Sequence, residues 1–262
     1  MSDIRTRYLT DTEAERLYRN HPQLGRSWEK YCPTCGKTGS YRWRGTVHAC
    51  DCEYQLQLHK HYLAAGIGTT YQRLDWDDYA GPTAALDGVV KYLDLRSDFL
   101  RRGIGLYFLG SYGTGKTMLA NLVLKELVKD GLTCFATTFS QTVEMFTAGW
   151  SDKADKTYFQ AKFINSQVLL LDDVGKELRG TRIALAETTF DAILRQRVQA
   201  GRATMITTNM NRAELEEGDG AAILSLILEK SLIQPFEGDD FRSIANDREI
   251  AEVLAGEVRP IV

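Results

Sequence analysis

Two groups of residues in this 262-residue chain have the types and spacing to do chemistry. In YCPTCGKTGSYRWRGTVHACDC, residues 31–52, four of the five cysteines follow C-x2-C-x14-C-x-C as Cys32, Cys35, Cys50 and Cys52. Two close pairs separated by a hairpin-length segment can set four thiolates tetrahedrally around Zn²⁺, as in a zinc ribbon. Pro33, Gly36 and Gly39 suit the two tight turns that such a site needs. Four protein ligands leave no open position for a catalytic water, so the site reads as structural, and in a segment with little core the metal would supply folding free energy. The C-x-C pair is tighter than the commoner C-x-x-C, which keeps His48, two residues before Cys50, as an alternative ligand. His59 and His61 are further candidates, better read as the surface of a polar helix, and Cys134 in its apolar run reads as core.

The second group lies in GLYFLGSYGTGKTMLANLVLKEL. Gly110, Gly115, Lys116 and Thr117 fit G-x-x-x-x-G-K-[ST], so Gly110, Ser111, Tyr112, Gly113, Thr114, Gly115, Lys116 and Thr117 form a candidate phosphate-binding loop. Its glycines let backbone N–H groups point into one concavity, and the helix that follows adds partial positive charge at its N-terminus. Lys116 would reach the β- and γ-phosphates of ATP, and the Thr117 hydroxyl would ligate Mg²⁺. Further on, VLLLDD (168–173) delivers Asp172 to the carboxyl end of a strand, where ligands of α/β sheets bind. Asp172 would hold Mg²⁺ directly or through water, and Asp173 would orient or deprotonate an attacking water. TTN (207–209) ends the next strand; its Asn209 would hydrogen-bond the γ-phosphate or the water beside it.

These residues need elements to position them. From Leu86 onward helical and strand periods alternate: a helix over about 84–101, the strand GLYFLG, a helix with Leu119, Leu122, Val123 and Leu127 on one face, the strand TCFATT, and a helix from Ser140 to Trp150. VLLLDD, a long helix over about 182–200, the strand ATMITTN and a helical tail over about 221–232 complete the series. Strands alternating with helices imply crossover connections and an α/β fold, a parallel sheet with helices on both faces. Before it, residues 1–65 hold a short amphipathic stretch (Ala14, Leu17, Tyr18), the cysteines and the polar run EYQLQLHKHYLAA, and GIGTTYQRLDWDDYAGP (66–82) reads as a linker.

Composition narrows the class. At 44% hydrophobic and 26% charged residues the chain is globular, and no apolar run reaches the roughly 20 residues that span a bilayer. The first residues lack the apolar core of a signal peptide, so a cytoplasmic protein without membrane contact, its thiols reduced, is expected. Residues 1–65 carry ten Lys/Arg against seven Asp/Glu, and the remainder 22 against 28, a mild asymmetry that permits a nucleic-acid contact without demanding one.

GSYGTGKT, LLLDDVG and TMITTNM, in that order and spacing, resemble the AAA+ ATPases of the DnaC/DnaI helicase-loader and IstB group. The resemblance covers most of residues 66–245 and includes AGIGTTYQRLDWDDY, similar to the segment that enters the ATPase domain in those proteins. It implies a P-loop AAA+ domain with Lys116 and Thr117 as Walker A, Asp172 and Asp173 as Walker B, and Asn209 as sensor I. PFEGDDFR resembles the family's sensor II segment, which makes Arg242 the candidate contact to the nucleotide in cis. In one respect the sequence departs from the family: Ser225 and Leu226 occupy the place of the arginine finger, with Lys230 the nearest cation and Arg195 and Arg197 the substitutes considered. The departure implies slow ATP hydrolysis, stimulated by DNA or self-assembly, or a finger contributed elsewhere.

The expected organisation is therefore a zinc-binding, helicase-interaction domain at 1–65, a linker at 66–82 and an AAA+ ATPase domain at 83–262. The resemblance implies a helicase loader that grips a hexameric replicative DNA helicase of the DnaB type through the zinc domain. It would use ATP to load that helicase on single-stranded DNA, self-associating into an oligomer or spiral. Tyr41 and Trp43, with Arg42 and Arg44 on the other face, would offer a single-stranded DNA platform or cover the zinc site. Two alternatives remain: an IstB-like transposition regulator on duplex DNA, and a nucleotide-switched adaptor with negligible hydrolysis.

Overall fold

Short apolar runs bounded by glycine or polar turns become strands, and the longer stretches with 3.6-residue periodicity become the helices that connect them. A computed structural model of the chain describes residues 17, 19, 32–148, 153–175, 183–211, 214 and 220–262. In order these hold β1 (Ser40–Trp43), β2 (Thr46–Ala49), α1 (Cys52–Ala64), short 3-10 turns at Tyr71–Arg73 and Trp76–Asp78, α2 (Thr83–Asp94), α3 (Arg96–Arg101) and β3 (Gly105–Gly110). Then come α4 (Lys116–Lys129), β4 (Cys134–Thr138), α5 (Phe139–Ala148), α6 (Lys153–Phe159), β5 (Val168–Val174), α7 (Ile183–Gln199), β6 (Ala203–Thr208), α8 (Gly220–Glu229), β7 (Ser231–Phe236) and α9 (Arg242–Leu254). The expected stretch around Ala14 and Tyr18 and the helix end at Trp150 lie outside the described residues, apart from Leu17.

The chain divides into two compact units, and the division follows packing rather than order along the sequence. One comprises residues 1–78, 125–131 and 241–262; the other comprises 79–124 and 132–240. The cut thus differs from the expected boundaries: residues 66–78, read as linker, and 241–262, read as part of the ATPase domain, belong with the cysteine hairpin.

The second unit is built on a five-stranded sheet in the order β4-β5-β6-β3-β7. All four pairings are parallel. Four of the strands are those expected from the sequence; β7 is a correction. The helical tail expected to run to 232 ends at Glu229, and SLIQPF forms an edge strand on β3, with Pro235 opposite Leu109. Proline lacks a ladder donor and is accommodated at an edge. The expected helix over 84–101 is two, broken at Leu95, whose φ of −103° and ψ of 16° leave the helical region. Phe139, Phe163 and Phe190 are fully buried between β5 and the helices, Phe159 stacks on Phe163 at 4.3 Å and Phe139 meets Phe190 at 5.0 Å. Each such ring contributes about 1.5–3 kcal/mol by leaving water.

A charged side chain is sealed deep inside this unit. Arg197, near the end of α7, is 0% exposed. Its guanidinium donates to the carbonyls of Phe163 (2.8 Å), Ile164 (3.2 Å), Ser166 (3.1 Å) and Ala203 (2.5 Å) and to the Thr204 hydroxyl (2.9 Å). Burial pushes its pKa down to about 9. A buried arginine fully occupied by backbone acceptors is a fastener for the loop entering β5, and it cannot serve as a finger for a neighbouring subunit. Arg195 is exposed and ion-paired with Asp191 at 2.8 Å on its own helix.

In the first unit the polar run becomes α1, and it is not a surface helix: Gln55, His59, Lys60 and His61 are all buried with Leu56, Leu58 and Tyr62. Their polar atoms have partners. His59 Nδ1 meets Gln72 Oε1 at 2.6 Å, Gln55 Oε1 accepts from the Ile261 N–H (3.2 Å), and the Tyr62 hydroxyl donates to the Val262 carbonyl (2.8 Å). The segment after α9 therefore stitches the hairpin, α1 and the 3-10 turns together. Arg259 donates to Asp78 (2.7 Å), pairs with Glu252 and lies 4.4 Å over the Trp43 ring, while Arg248 reaches the other Asp78 oxygen at 3.0 Å. Lys125, 2% exposed, donates to the carbonyls of Tyr71 (3.1 Å) and Leu74.

Two outcomes follow from these buried cations. Arg197→Met should lower unfolding free energy by about 3 kcal/mol or more, read from the denaturation midpoint, because several interior acceptors lose their donor at once. Burial, with Lys129 adding repulsion, pushes the Lys125 ammonium down to about 7. The folded chain then holds fewer protons than the unfolded one from about pH 7 up to the free-lysine value, so Lys125 makes stability rise with pH in that window. Thermal melts of wild type and Lys125→Met between pH 7 and 10 should differ in slope in that sense.

Candidate functional site

The cysteine centre is built from two turns and a helix start. Cys32 and Cys35 sit in a turn in which the Gly36 N–H bonds the Cys32 carbonyl (3.0 Å) and the Cys35 N–H points at Cys32 Sγ (3.3 Å). The β1–β2 hairpin pairs Ser40 with Ala49 and Trp43 with Thr46 across a two-residue turn, Arg44–Gly45, both at positive φ (48° and 79°). It returns the chain so that Cys50 follows β2 and Cys52 opens α1, with Asp51 capping the helix through the Tyr54 N–H. That explains the short C-x-C: one cysteine ends a strand and the next begins a helix.

All four Sγ atoms lie within 4.8 Å of one another, with Cys32–Cys50 at 3.6 Å and Cys35–Cys52 at 3.4 Å. A tetrahedron of Zn–S bonds of about 2.3 Å has edges near 3.8 Å, so the donor set fits Zn²⁺ and is too open for disulfides. Burial pushes the Cys35 thiol up, but hydrogen bonds with Cys32 and Cys52 outweigh it and leave about 6; burial raises Cys50, and Cys52 goes up to about 11. One thiolate shared by its neighbours is what four clustered thiols support alone; a dication is what would deprotonate them all. His48 stacks on Tyr41, ring centroids 5.4 Å apart, and His59 is bonded to Gln72, so neither joins the cluster. Tyr41 and Trp43 are likewise engaged, Trp43 by Arg259 and by Arg44 at 5.2 Å, which favours the covering role over a free stacking platform.

The phosphate-loop candidates span the turn between β3 and α4. Gly110 leaves the strand at φ 147°, and a Cβ there would overlap the Phe236 carbonyl of β7. Gly113, at φ 75°, lies against the Asp240 carboxylate, which a Cβ would also overlap. Lys116 is 6% exposed, its ammonium donating to the carbonyls of Gly110 (2.8 Å) and Ser111 (2.5 Å). Ser111 and Tyr112 are exposed at the tip, and the Thr114 hydroxyl closes the turn on the Ser111 carbonyl (2.9 Å).

Beside this loop three elements meet. The Thr117 hydroxyl in the first turn of α4 donates to Asp172 Oδ1 (2.9 Å) at the end of β5. From β6 the Thr207 hydroxyl donates to the same oxygen (2.6 Å) and accepts the Asp173 N–H (2.9 Å), and Asn209 Nδ2 donates to Asp173 Oδ1 (2.8 Å). The β5–β6 register shifts between Leu171 and Val174, so Asp172 and Asp173 together face the single residue Thr207, a bulge that turns Asp173 to φ 55°. Burial raises the pKa of Asp172 above the usual carboxylate value, and the two threonine hydrogen bonds oppose that rise. The structure thus brings Lys116, Thr117, Asp172, Asp173 and Asn209 to one rim of one unit. Arg242, the first residue of α9, belongs to the other unit. Thr207 is the member that sequence reasoning passed over; its signal was its place in TTN, two residues before Asn209, near the end of β6.

The sequence matches the model of the ATPase family associated with various cellular activities (AAA) over residues 106–213, the span that carries β3, the loop, the acidic pair and Asn209. The chain carries an AAA+ domain. The DnaC helicase loader is a similar solved structure, at TM-score 0.54 and 24% identity over 65% of this chain and 100% of that one. DnaI follows at TM-score 0.53 and 20% identity over 65% and 94%. Among sequences, the ATP-dependent zinc metalloprotease FtsH of Burkholderia pseudomallei (strain 1710b) is 28% identical over 190 residues, 67% of this chain. The chain spans only 26% of that relative's length. It carries no H-E-x-x-H metalloprotease motif.

Purified from zinc-supplemented cells, the protein should contain a single Zn²⁺ per chain by mass spectrometry of the metal. Cys35→Ser and Cys52→Ser should each lose it on dialysis against a mild chelator, and His48→Ala should retain it.

Proposed function

We propose that this protein is an ATP-dependent loader of a hexameric replicative helicase of the DnaB type onto single-stranded DNA, acting in the cytoplasm. What carries the reading is the meeting of Thr117, Asp172, Asp173 and Asn209 beside the candidate phosphate loop, in a chain whose other unit holds a four-thiol cluster that fits Zn²⁺. The likeness to the DnaC helicase loader along that chain's whole length supports the choice of substrate. Among the described residues no helix is long and apolar enough to cross a membrane, consistent with a soluble site of action.

In this reading the loop from Gly110 to Thr117 cradles the phosphates of ATP. Lys116 exchanges the Gly110 and Ser111 carbonyls for phosphate oxygens, a trade that keeps its ammonium satisfied. Mg²⁺, when bound, offsets the charge that builds on the β- and γ-oxygens. Thr117 and Asp172 would hold it; Asp173, tied to Asn209, orients the attacking water and takes its proton. Arg242 supplies the remaining positive charge in cis. The zinc unit grips the helicase, and copies of the loader associate side by side, so that nucleotide state biases an open helicase ring around the strand.

Turnover is slow in this reading. In α8, where a finger would stand, Ser225 is exposed and Leu226 packs on the core, and Arg197 is committed to the interior. That same observation favours, as a second reading, an adaptor in which nucleotide acts only as a switch.

Size-exclusion chromatography with light scattering, run on the full chain mixed with the replicative helicase, tests the reading. A stable complex is expected, unaffected by Lys116→Ala, while that variant loses hydrolysis by roughly a hundredfold or more. Hydrolysis stimulated by single-stranded DNA separates a loader from a switch. No helicase complex and a preference for duplex DNA would move the reading to the transposition-type regulator.

A further inference from the structure

We propose that Thr207 is a positioning residue of this site, a single hydroxyl that sets both acidic side chains and thereby the site's response to Mg²⁺; the inference rests on the ATPase reading. Where β5 bulges, two residues oppose one, and a bulged strand leaves a backbone N–H without a ladder partner. Here that N–H belongs to Asp173, and the Thr207 oxygen accepts it at 2.9 Å. Having accepted, the hydroxyl has one proton to give, and it gives it to Asp172 Oδ1 at 2.6 Å. Direction is therefore fixed at every link: Asp173 N–H to Thr207 to Asp172, with Thr117 donating to the same carboxylate oxygen from α4. Asp172 must present an unprotonated Oδ1 to receive two hydroxyl protons.

Asp173 pays for its orientation with a left-handed backbone, φ 55°, which a non-glycine residue keeps only where its surroundings hold it. Two residues of the neighbouring segment hold it, Thr207 through the N–H and Asn209 through the carboxylate. Thr207 is 2% exposed, so water cannot replace its hydroxyl. Valine has the same shape and lacks both bonds. It would remove the Thr207 acceptor from the Asp173 N–H and leave Asp172 Oδ1 with the Thr117 hydroxyl but not the Thr207 one, without touching the backbone loop that would hold phosphates.

The test uses the full chain with Thr207→Val, Thr207→Ala and Thr207→Ser, each checked for wild-type circular dichroism. Binding of a fluorescent ATP analogue is titrated in chelator and then against Mg²⁺, and turnover is measured separately. Thr207→Val and Thr207→Ala should bind the analogue in chelator as wild type does. They should need roughly ten times more Mg²⁺ for half-maximal enhancement and lose about 10–100-fold in kcat, the scale of a hydrogen bond to a charged group. Thr207→Ser should restore both to within about threefold of wild type. Wild-type Mg²⁺ dependence in Thr207→Ala, or a serine variant as impaired as alanine, would overturn the role of the hydroxyl. If valine fails to fold, alanine, which adds no bulk, decides. A wild-type chain that binds no nucleotide would instead overturn the ATPase reading, and this one with it.

Discussion

A parallel sheet puts every strand's carboxyl end on one rim, and the chemistry of this protein is confined by that rule. β3 runs off the rim into the phosphate loop, β5 into the acidic pair and β6 into Thr207 and Asn209. Strands spaced by one ladder bring those groups within a side chain's reach, so no long loop has to fold over to assemble the site. The rule also has a cost, since polar groups at the rim are half sealed. Asp172 illustrates the solution: burial raises its pKa, and two hydroxyls from different elements counter the rise. The Thr117–Asp172 contact then does double service, joining the helix after the loop to the strand that follows β4.

Much of this rim was legible because each part is local. A glycine-rich turn between an apolar strand and an amphipathic helix, and a short apolar run ending in two acids, carry their context within a few residues. Arrangements that depend on distant partners were not. β7 hid in the mostly apolar stretch from Ile223 to Phe236, where helix and strand residues are alike in type and only pairing with β3 decides. His59 and His61 looked solvated because the groups that satisfy α1, Gln72 among them, lie beyond it in the sequence. Arg197 reads as an end-of-helix charge until the carbonyls of Phe163, Ile164 and Ser166 are seen around it. Thr207 looks like an ordinary strand threonine until the bulge opposite it is known.

The two units solve the problem of small cores differently. The sheet unit relies on aromatic burial, with Phe139, Phe163 and Phe190 sealed among the helices. The cysteine unit has short strands and a polar helix, and is held by directional bonds: thiols around one point, an aspartate between two arginines, and lysine and glutamine on backbone carbonyls. Such a unit is specified by geometry more than by apolar area, so removing one polar partner strands another. Its integrity is therefore tied to hydrogen bonds and ionic contacts, where that of the sheet is tied to packing.

The stitching of residues 256–262 into the cysteine unit has a consequence for the order in which the chain can be completed. Arg259 lies 181 residues after Asp78, and Val262 lies 200 after Tyr62. At about 5–20 residues per second, a ribosome would make the first of these partners some ten to forty seconds before the second. During that interval all four clustered cysteines are already made, but Asp78 lacks its arginine and Trp43 its cover. The sheet is synthesised wholly inside the gap, as an insertion in a unit that is started first and closed last. Translation thus imposes a sequence of events in which the sheet unit has the opportunity to fold before the unit that encloses its sequence is finished.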